Sequence, residues 1–473
     1  MQGEEKIMLL NYLRMVRQKK PIYIETVGGY SEPWYFDLCE EEVIIGNKKT
    51  LNRYFVCYDG EGEISKAESV SGGGQILFVP FKEIMPFYLE TTTPPPEEKP
   101  DLERWKAIRE FVWKHWDYAD EEIYDIITAF IHATWLPDQW KARPFFAALG
   151  DTGVGKSRLM NMFSLLCYRA DTETSLGDAN LFRGLQMYKP TLILDETEYM
   201  TNEERQILIN ILNAAQKDGT YVKRMKTQAD ENIWLFDWFK LKAFVCLAGT
   251  KVWHETLQRR SILVYPQENT RPVALEVDTE TGRKLRAQLL AWRIKHVTHP
   301  PFKEEEIIKL CMDNGIVGTS YELFYPLVAV APNPEIRKKI VEFAKRHKKR
   351  AKEIRSISDS ANVFYAIYTM STVAQRIDTS LVILLKDLMA ELNKDTPERQ
   401  WFTVKSVGSI VRALGFEMKH TRYGSAIIWD EKLAERLRKQ YDIKKIDLNG
   451  ETEETPPSPD WLRGDAVTDV KPE

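Results

Sequence analysis

The residues best suited to chemistry are a lysine and a serine set behind three glycines, in the run Gly150-Asp151-Thr152-Gly153-Val154-Gly155-Lys156-Ser157-Arg158. Glycines at this spacing let successive backbone N–H groups turn toward one point, and such a nest holds phosphate. Lys156 then reaches the β- and γ-phosphates, and the Ser157 hydroxyl offers an oxygen to Mg²⁺. A second group follows at Asp195 and Glu196, two adjacent acids closing the apolar run Thr191-Leu-Ile-Leu. Asp195 suits the metal and Glu196 suits the water that attacks the terminal phosphate. Together they describe nucleoside triphosphate binding and hydrolysis.

These side chains need a scaffold, and the flanking residues supply its signals. Phe145, Phe146, Ala147, Ala148 and Leu149 form a short apolar run before the glycines, while Leu159, Met160, Phe163 and Leu166 recur at helical spacing after Lys156. The order is strand, glycine loop, helix. Thr191 to Leu194 is a buried-type strand with its acids at the C-terminal end, where parallel sheets bind ligands. A further strand, Ala243 to Leu247, runs into Ala248-Gly249-Thr250, and Thr250 would sense the γ-phosphate or hold the lytic water. Arg259 and Arg260 precede another β run, Ile262 to Tyr265. One of the two suits insertion into a neighbouring subunit's site, where a guanidinium offsets charge on the transferring phosphoryl group; a carboxylate partner within the same subunit is the other use.

The chain has 473 residues, 43% hydrophobic and 29% charged, with a formal net charge of -4. This describes a globular protein of several domains, without a global basic signature, so nucleic-acid contact must come from local patches. The start carries acids, and 18 consecutive apolar residues occur nowhere, which excludes a membrane-spanning helix and leads to the expectation of a cytoplasmic protein. The five cysteines are scattered, with no CxxC pair; structural zinc and disulfides are not expected.

The expected organisation is multidomain α/β. Residues 1–90 alternate β-type runs with glycine turns, giving a small β-rich domain whose exposed aromatics stack unpaired bases or whose surface docks a protein. Residues 91–100, rich in proline, are a linker. Residues 101–140 are a helical collar containing Trp105, Trp113, Trp116, Trp135 and Trp140, best explained as packing against the sheet. The nucleotide core spans 141–268. A helical lid with a basic segment covers 269–358, residues 359–446 are a separate module, and 447–473 are a disordered acidic tail. In the lid, Arg283 or Arg286 either touches the γ-phosphate or belongs to an exposed face.

The nucleotide motifs, together with QRRS before a final strand, resemble the AAA+ ATPases, a P-loop NTPase class. SLGDANLFRGL, DGTYVKR and SYELFYPLVAVA are similar to the helicase-like branch found in viruses, plasmids and integrated elements, often compared with superfamily 3 helicases. The resemblance covers roughly residues 101 to 345. It implies ATP and Mg²⁺ as cofactors and a homo-oligomeric ring, commonly a hexamer. Residues 150–158 and Lys156, Ser157, Asp195 and Glu196 would act within a subunit and Arg259 or Arg260 from its neighbour. Asn often stands at the sensor position where this chain has Thr250.

Candidate nucleic-acid contacts fall in three places. Tyr221, Lys223, Arg224 and Lys226 form a turn and β run just before the strand at Ala243; a basic hairpin there would project toward a ring's centre, or be an ordinary solvated hairpin. The segment Glu335 to Ile357 has ten Lys and Arg residues against three Glu, suiting phosphate contact or a solvated helix face. In 359–446, Leu381 to Leu392 and Val404 to Leu414 read as helices, and Phe416 to Trp429 as a hairpin. That order resembles winged helix-turn-helix domains, with Lys405, Ser406 and Arg412 on the second helix and Lys419, His420 and Arg422 on the wing facing DNA, although such modules also bind proteins. The expected activity is an ATP-dependent DNA helicase or translocase moving along single-stranded DNA. The alternative is an ATP-dependent DNA-binding switch, an initiator or transposition regulator, without strand separation. A defence-system ATPase acting on a partner through the N-terminal domain is a third.

Overall fold

A computed structural model describes residues 21–46, 48–62, 64–73, 75–81, 99, 101–173, 191–195, 209–210, 212, 222–230, 233–239, 243–249, 255–356, 359–371, 375–377, 380–394, 402–441 and 443. Glu196, Tyr221 and Thr250 lie outside these residues. So do most of the 91–100 linker and the whole 447–473 tail. The chain divides into two compact units, residues 1–347 and 348–473.

The first unit opens with strands β1 (Ile22–Thr26), β2 (Gly28–Ser31), β3 (Trp34–Ile45), β4 (Lys48–Tyr58), β5 (Ser65–Ala67), β6 (Val70–Ser71) and β7 (Ile76–Pro80). They form a four-stranded sheet, β2-β3-β4-β5, and a three-stranded one, β1-β7-β6. Two sequence expectations change here. Trp34–Phe36 and Val43–Ile45 belong to one continuous strand, and Gly28-Gly29 lies within β2 rather than in a turn. Full pairing of β3 with β4, from Tyr35↔Tyr58 to Ile45↔Lys48, is what carries the strand through its acidic middle. Because side chains alternate across a sheet, Phe36, Leu38, Phe55 and Cys57 enter a small core of this region. Cys39, Tyr54 and Val56, on the other face, join the main core of the unit.

Helices α1 (Asp101–His115) and α2 (Glu122–Thr134) follow. Trp105, Trp116, Trp135 and Trp140 are at most 2% exposed, so the collar tryptophans are packing residues. Trp113 is the exception, covered on one side by the Arg271 guanidinium 3.9 Å from its ring.

Strands β8 (Phe145–Leu149), β9 (Ala170–Glu173) and β10 (Thr191–Leu194), and beyond the two-stranded ribbon β11 (Val222–Asp230) and β12 (Ile233–Phe239), β13 (Phe244–Gly249) and β14 (Ser261–Val264), complete the strands of this unit. Five of them form one parallel sheet in the order β14-β8-β13-β10-β9. Strand β8 is central and buried throughout, which is why its sequence is apolar at every position rather than at alternate ones. Strand β9 was not anticipated in the polar stretch after Asp171; as the edge of the sheet it needs only one neighbour and tolerates Asp171 and Thr172. Helix α3 (Lys156–Leu166) joins β8 to β9, and α4 (Glu255–Arg259) precedes β14. Then come α5 (Thr279–His296), α6 (Glu304–Asp313), α7 (Thr319–Val330) and α8 (Pro334–Ser356).

The second unit contains α9 (Asp359–Ser371), β15 (Gln375–Ile377), β16 (Ser380–Leu384), α10 (Leu385–Asn393), α11 (Val404–Leu414), β17 (Met418–Thr421), β18 (Gly424–Ile428) and α12 (Glu431–Tyr441). Its sheet is antiparallel, β15-β16-β18-β17. The expected helix over 381–392 begins as strand, through Leu384, and is helical only from Leu385. Val382 and Ile383 pair with Ile428 and Ile427, and β-branched residues that bury on such a pairing outweigh the helical periodicity. Helix α11 starts in a capping box between Thr403 and Ser406 and ends at Gly415, left-handed at φ 95°. Among the described residues, no helix is long and apolar enough to cross a membrane.

Candidate nucleotide site

Strand β8 delivers the chain to the C-terminal edge of the parallel sheet, where the Gly150 N–H donates to the Gly249 carbonyl at the end of β13 (3.1 Å). The loop then turns through Gly153 (φ 85°) and Gly155 (φ 86°), both in the left-handed region that favours glycine. Gly155 is also the N-cap of α3, and no side chain among the described residues caps that helix. Its first-turn N–H groups are therefore left to whatever the loop holds, with the helix dipole adding positive charge there.

Lys156 is 9% exposed, and its ammonium donates to the loop's own carbonyls, Gly150 O at 2.7 Å and Asp151 O at 2.5 Å. Both of these partners are neutral carbonyls, so neither supplies a counter-charge to the ammonium. Ser157 is exposed beside it. Arg158 turns away: its guanidinium donates to the carbonyls of Ala274 and Leu275. Its side chain thus fastens the segment between β14 and α5, and its proposed part in holding a nucleotide falls to the backbone alone.

Asp195 follows the last residue of β10. Leu194 is in register with Leu247, and Leu247 with Ala147. One further step places Asp195 level with Ala148, two strand spacings or roughly 10 Å across the sheet edge. The inserted strand β13 sets that separation, which leaves room for a hydrated cation between the carboxylate and the loop. Among the described residues, no three His, Cys, Asp or Glu side chains gather to hold a resident metal. Ser157 and Asp195 are hard oxygen donors, and they fit an Mg²⁺ that shares its shell with water and phosphate.

Arg259 is exposed and Arg260 half-buried, where burial pulls the Arg260 guanidinium below its ordinary range against the opposing effect of Glu322. The Arg260 carbonyl accepts from the Phe145 N–H (2.9 Å), at the start of β8. The glycine loop lies at the other end of that five-residue strand, about 17 Å away. Neither arginine reaches the loop of its own chain.

The wall beside the loop was not foreseen from sequence. Trp116 packs against Gly155, so that a Cβ there would meet the indole nitrogen at 3.3 Å, and the buried indole N–H has no hydrogen-bond partner among the described residues. Asp117 accepts from the Thr270 N–H (2.6 Å) and hydroxyl (2.9 Å) and from the Arg271 N–H (3.2 Å). Burial alone would raise its carboxyl; those donors and the Arg271 charge hold it below the usual carboxylate range. The strap from β14 to α5 is thereby tied to the collar. The signal available was the Trp-Asp-Tyr cluster after α1, whose partner lies some 150 residues away in sequence.

The basic candidates separate. Lys223 and Arg224 stand opposite Trp238 and Asp237 in the β11–β12 ribbon, and Lys226 falls in a bulge. The pairing runs from Val222↔Phe239 to Asp230↔Ile233, and the basic residues stand toward the Val222 end. On α8, Arg346 pairs with Glu122 and Asp120, and Lys339 with Asp125 at 3.4 Å, which spends part of that helix's charge on α2. In the lid, Arg286 is 5% exposed rather than on an exposed face. In the second unit Lys405, Arg412, Lys419, His420 and Arg422 are exposed. Arg422 lies 4.7 Å over the Tyr423 ring. The Ser406 hydroxyl instead serves the α11 cap, donating to Thr403 O at 2.9 Å.

No family model matches the chain, and no curated protein matches it. Among solved structures it is similar to the apo C-terminal region of NrS-1, residues 305–718, at 15% identity over 77% of this chain and 83% of that one, with a TM-score of 0.34. It is also similar to a full-length MCM homolog from Methanopyrus kandleri (12%, 69% and 77%, TM-score 0.31) and to the JCV helicase (14%, 56% and 64%, TM-score 0.23). At TM-scores this low the likenesses have no bearing on what the chain does.

Proposed function

We propose that the chain is an ATP-dependent nucleic-acid motor, a DNA helicase or translocase that hydrolyses ATP at subunit interfaces of a homo-oligomeric ring and moves along single-stranded DNA. The observation that carries this reading is the loop after β8, with Lys156 lodged among its carbonyls and Asp195 at the same sheet edge one strand removed.

In the proposed cycle Lys156 exchanges the Gly150 and Asp151 carbonyls for β- and γ-phosphate oxygens, a stronger charge-assisted contact. The N–H groups of residues 153–157 surround the same oxygens. Ser157 and Asp195 would hold the cation, which when bound offsets phosphate charge. Glu196 would orient the water. Arg259 or Arg260, out of reach of its own loop, would enter the neighbouring subunit's site, so turnover requires assembly. The β11–β12 ribbon joins the acidic strand's side of the site to β13, which suits it to move with the nucleotide state. Lys405, Arg412, Lys419 and Arg422 would meet duplex backbone.

ATP turnover with and without single-stranded DNA, alongside displacement of a paired strand, tests this. Single strands should stimulate turnover, the paired strand should be released, and Lys156→Ala should do neither. Slow turnover responding only to duplex, with no displacement, would overturn the motor in favour of the DNA-binding switch.

A further inference from the structure

At the other end of α3 from the glycine loop lies a cavity of about 420 Å³, between the β2–β3 hairpin and the core around residues 137–139, 168–169 and 293–297. Helix α3 has 11 residues, so the cavity lies on the order of 16 Å from Lys156 along that helix. A cleft of this size between two packed regions is where small-molecule sites concentrate.

Its floor is a closed set of charges. Asp37, 2% exposed, takes Arg169 at 2.8 Å, Arg293 at 2.9 Å and the Tyr168 hydroxyl at 2.6 Å. Arg293 also approaches Asp138 at 3.3 Å. Two guanidinium groups against two carboxylates leave no surplus for a phosphate or an amine. The mouth is aromatic: Tyr30 and Tyr35 lie 4.4 Å apart at 34°, and Tyr30 is 53% exposed. Between floor and mouth runs the Gly28-Gly29 backbone, where a Cβ on Gly28 would meet the Phe36 carbonyl at 2.8 Å and the Arg169 guanidinium at 3.1 Å. Aliphatic lining is scarce. The occupant this describes is flat, uncharged, able to stack, and polar at its edges.

We propose that this cavity takes a nucleobase, stacked on Tyr30 and Tyr35 with its polar edge toward the Asp37–Arg169–Arg293 floor. The chemistry is the same for a free nucleoside and for an unpaired base of a strand. The site stands apart from the glycine loop and does not depend on ATP turnover. Tyr168 and Arg169 stand just past the C-terminal end of α3, the helix that begins at Lys156.

The test uses the full chain with a non-hydrolysable ATP analogue at saturation, which covers the glycine loop. The probes are 2-aminopurine riboside and a short single strand carrying one 2-aminopurine. Stacking should quench fluorescence. Tyr30→Ala should weaken the binding read by quenching about tenfold, the loss expected for one stacked base; Tyr30→Phe should retain it, and basal ATP turnover should stay unchanged in both. Quenching of the riboside identifies a free nucleoside site, and quenching of the strand alone identifies a strand contact. No quenching of either probe, or equal quenching in Tyr30→Ala, overturns the proposal. Lys156→Ala should leave the quenching intact, which separates this proposal from the ATPase reading.

Discussion

The two ends of α3 hold charge in opposite ways. At its N-terminus Lys156 is held, among the described residues, by neutral carbonyls; at its C-terminal side Arg169 is locked with Arg293 onto Asp37. The first arrangement keeps a positive centre that an anion completes. The second cancels its charges internally and ties the β-rich region to the core. A buried cation thus means different things according to whether its partners are dipoles or counter-charges.

The contrast predicts different failures. Lys156→Ala should lower ATP turnover by about 10²-fold or more, the usual effect of losing a preorganised phosphate donor, while leaving the melting temperature within a few degrees. Asp37→Ala should reverse that pattern. It removes the carboxylate that Arg169 and Arg293 share, leaving Arg293 with Asp138 at 3.3 Å, and should cost about 3–5 kcal/mol of stability in denaturant titration; a loss below about 1 kcal/mol would mean that the cluster is not closed as described. Gly155→Ala probes the loop between these extremes. Its left-handed φ and the Trp116 ring at 3.3 Å should add about 1–2 kcal/mol of strain, read as weaker nucleotide binding with the sheet intact.

The smallest effect concerns His132, which is buried between Arg104 and Thr128. Burial, then the Arg104 charge, hold it down to about 3, against 6.5 for the free side chain. The native state therefore keeps this ring neutral while the unfolded chain protonates below about pH 6.5. Stability should decline as pH falls from about 6.5 toward 3. Thermal melting at pH 7 and pH 5 should show the decline, and His132→Gln should flatten it. Asp37 works in a lower window: its carboxyl, which burial would raise, is pulled below 3.8 by Arg169 and Arg293, so its contribution persists above that value and disappears only in stronger acid.

What could be read from the residues alone was local. The strand at Phe145–Leu149, the helix from Lys156 and the strand before Asp195 follow from short apolar runs and glycine spacing, because each is dictated by neighbours within about ten residues. The collar tryptophans were readable as packing for the same reason. The cluster at Asp37 was not, although an acid inside Trp-Tyr-Phe-Asp-Leu-Cys already signals a paired charge; its partners stand 132 and 256 residues away. Likewise Arg158 belongs by sequence to the phosphate loop and by structure to the strap at Ala274, and Leu381–Leu384 obeys helical spacing yet pairs with β18. Sequence determined which groups carry charge and which runs are buried. Tertiary structure decided who meets whom, because electrostatic and sheet partners are chosen by distance in space, which chain order does not fix.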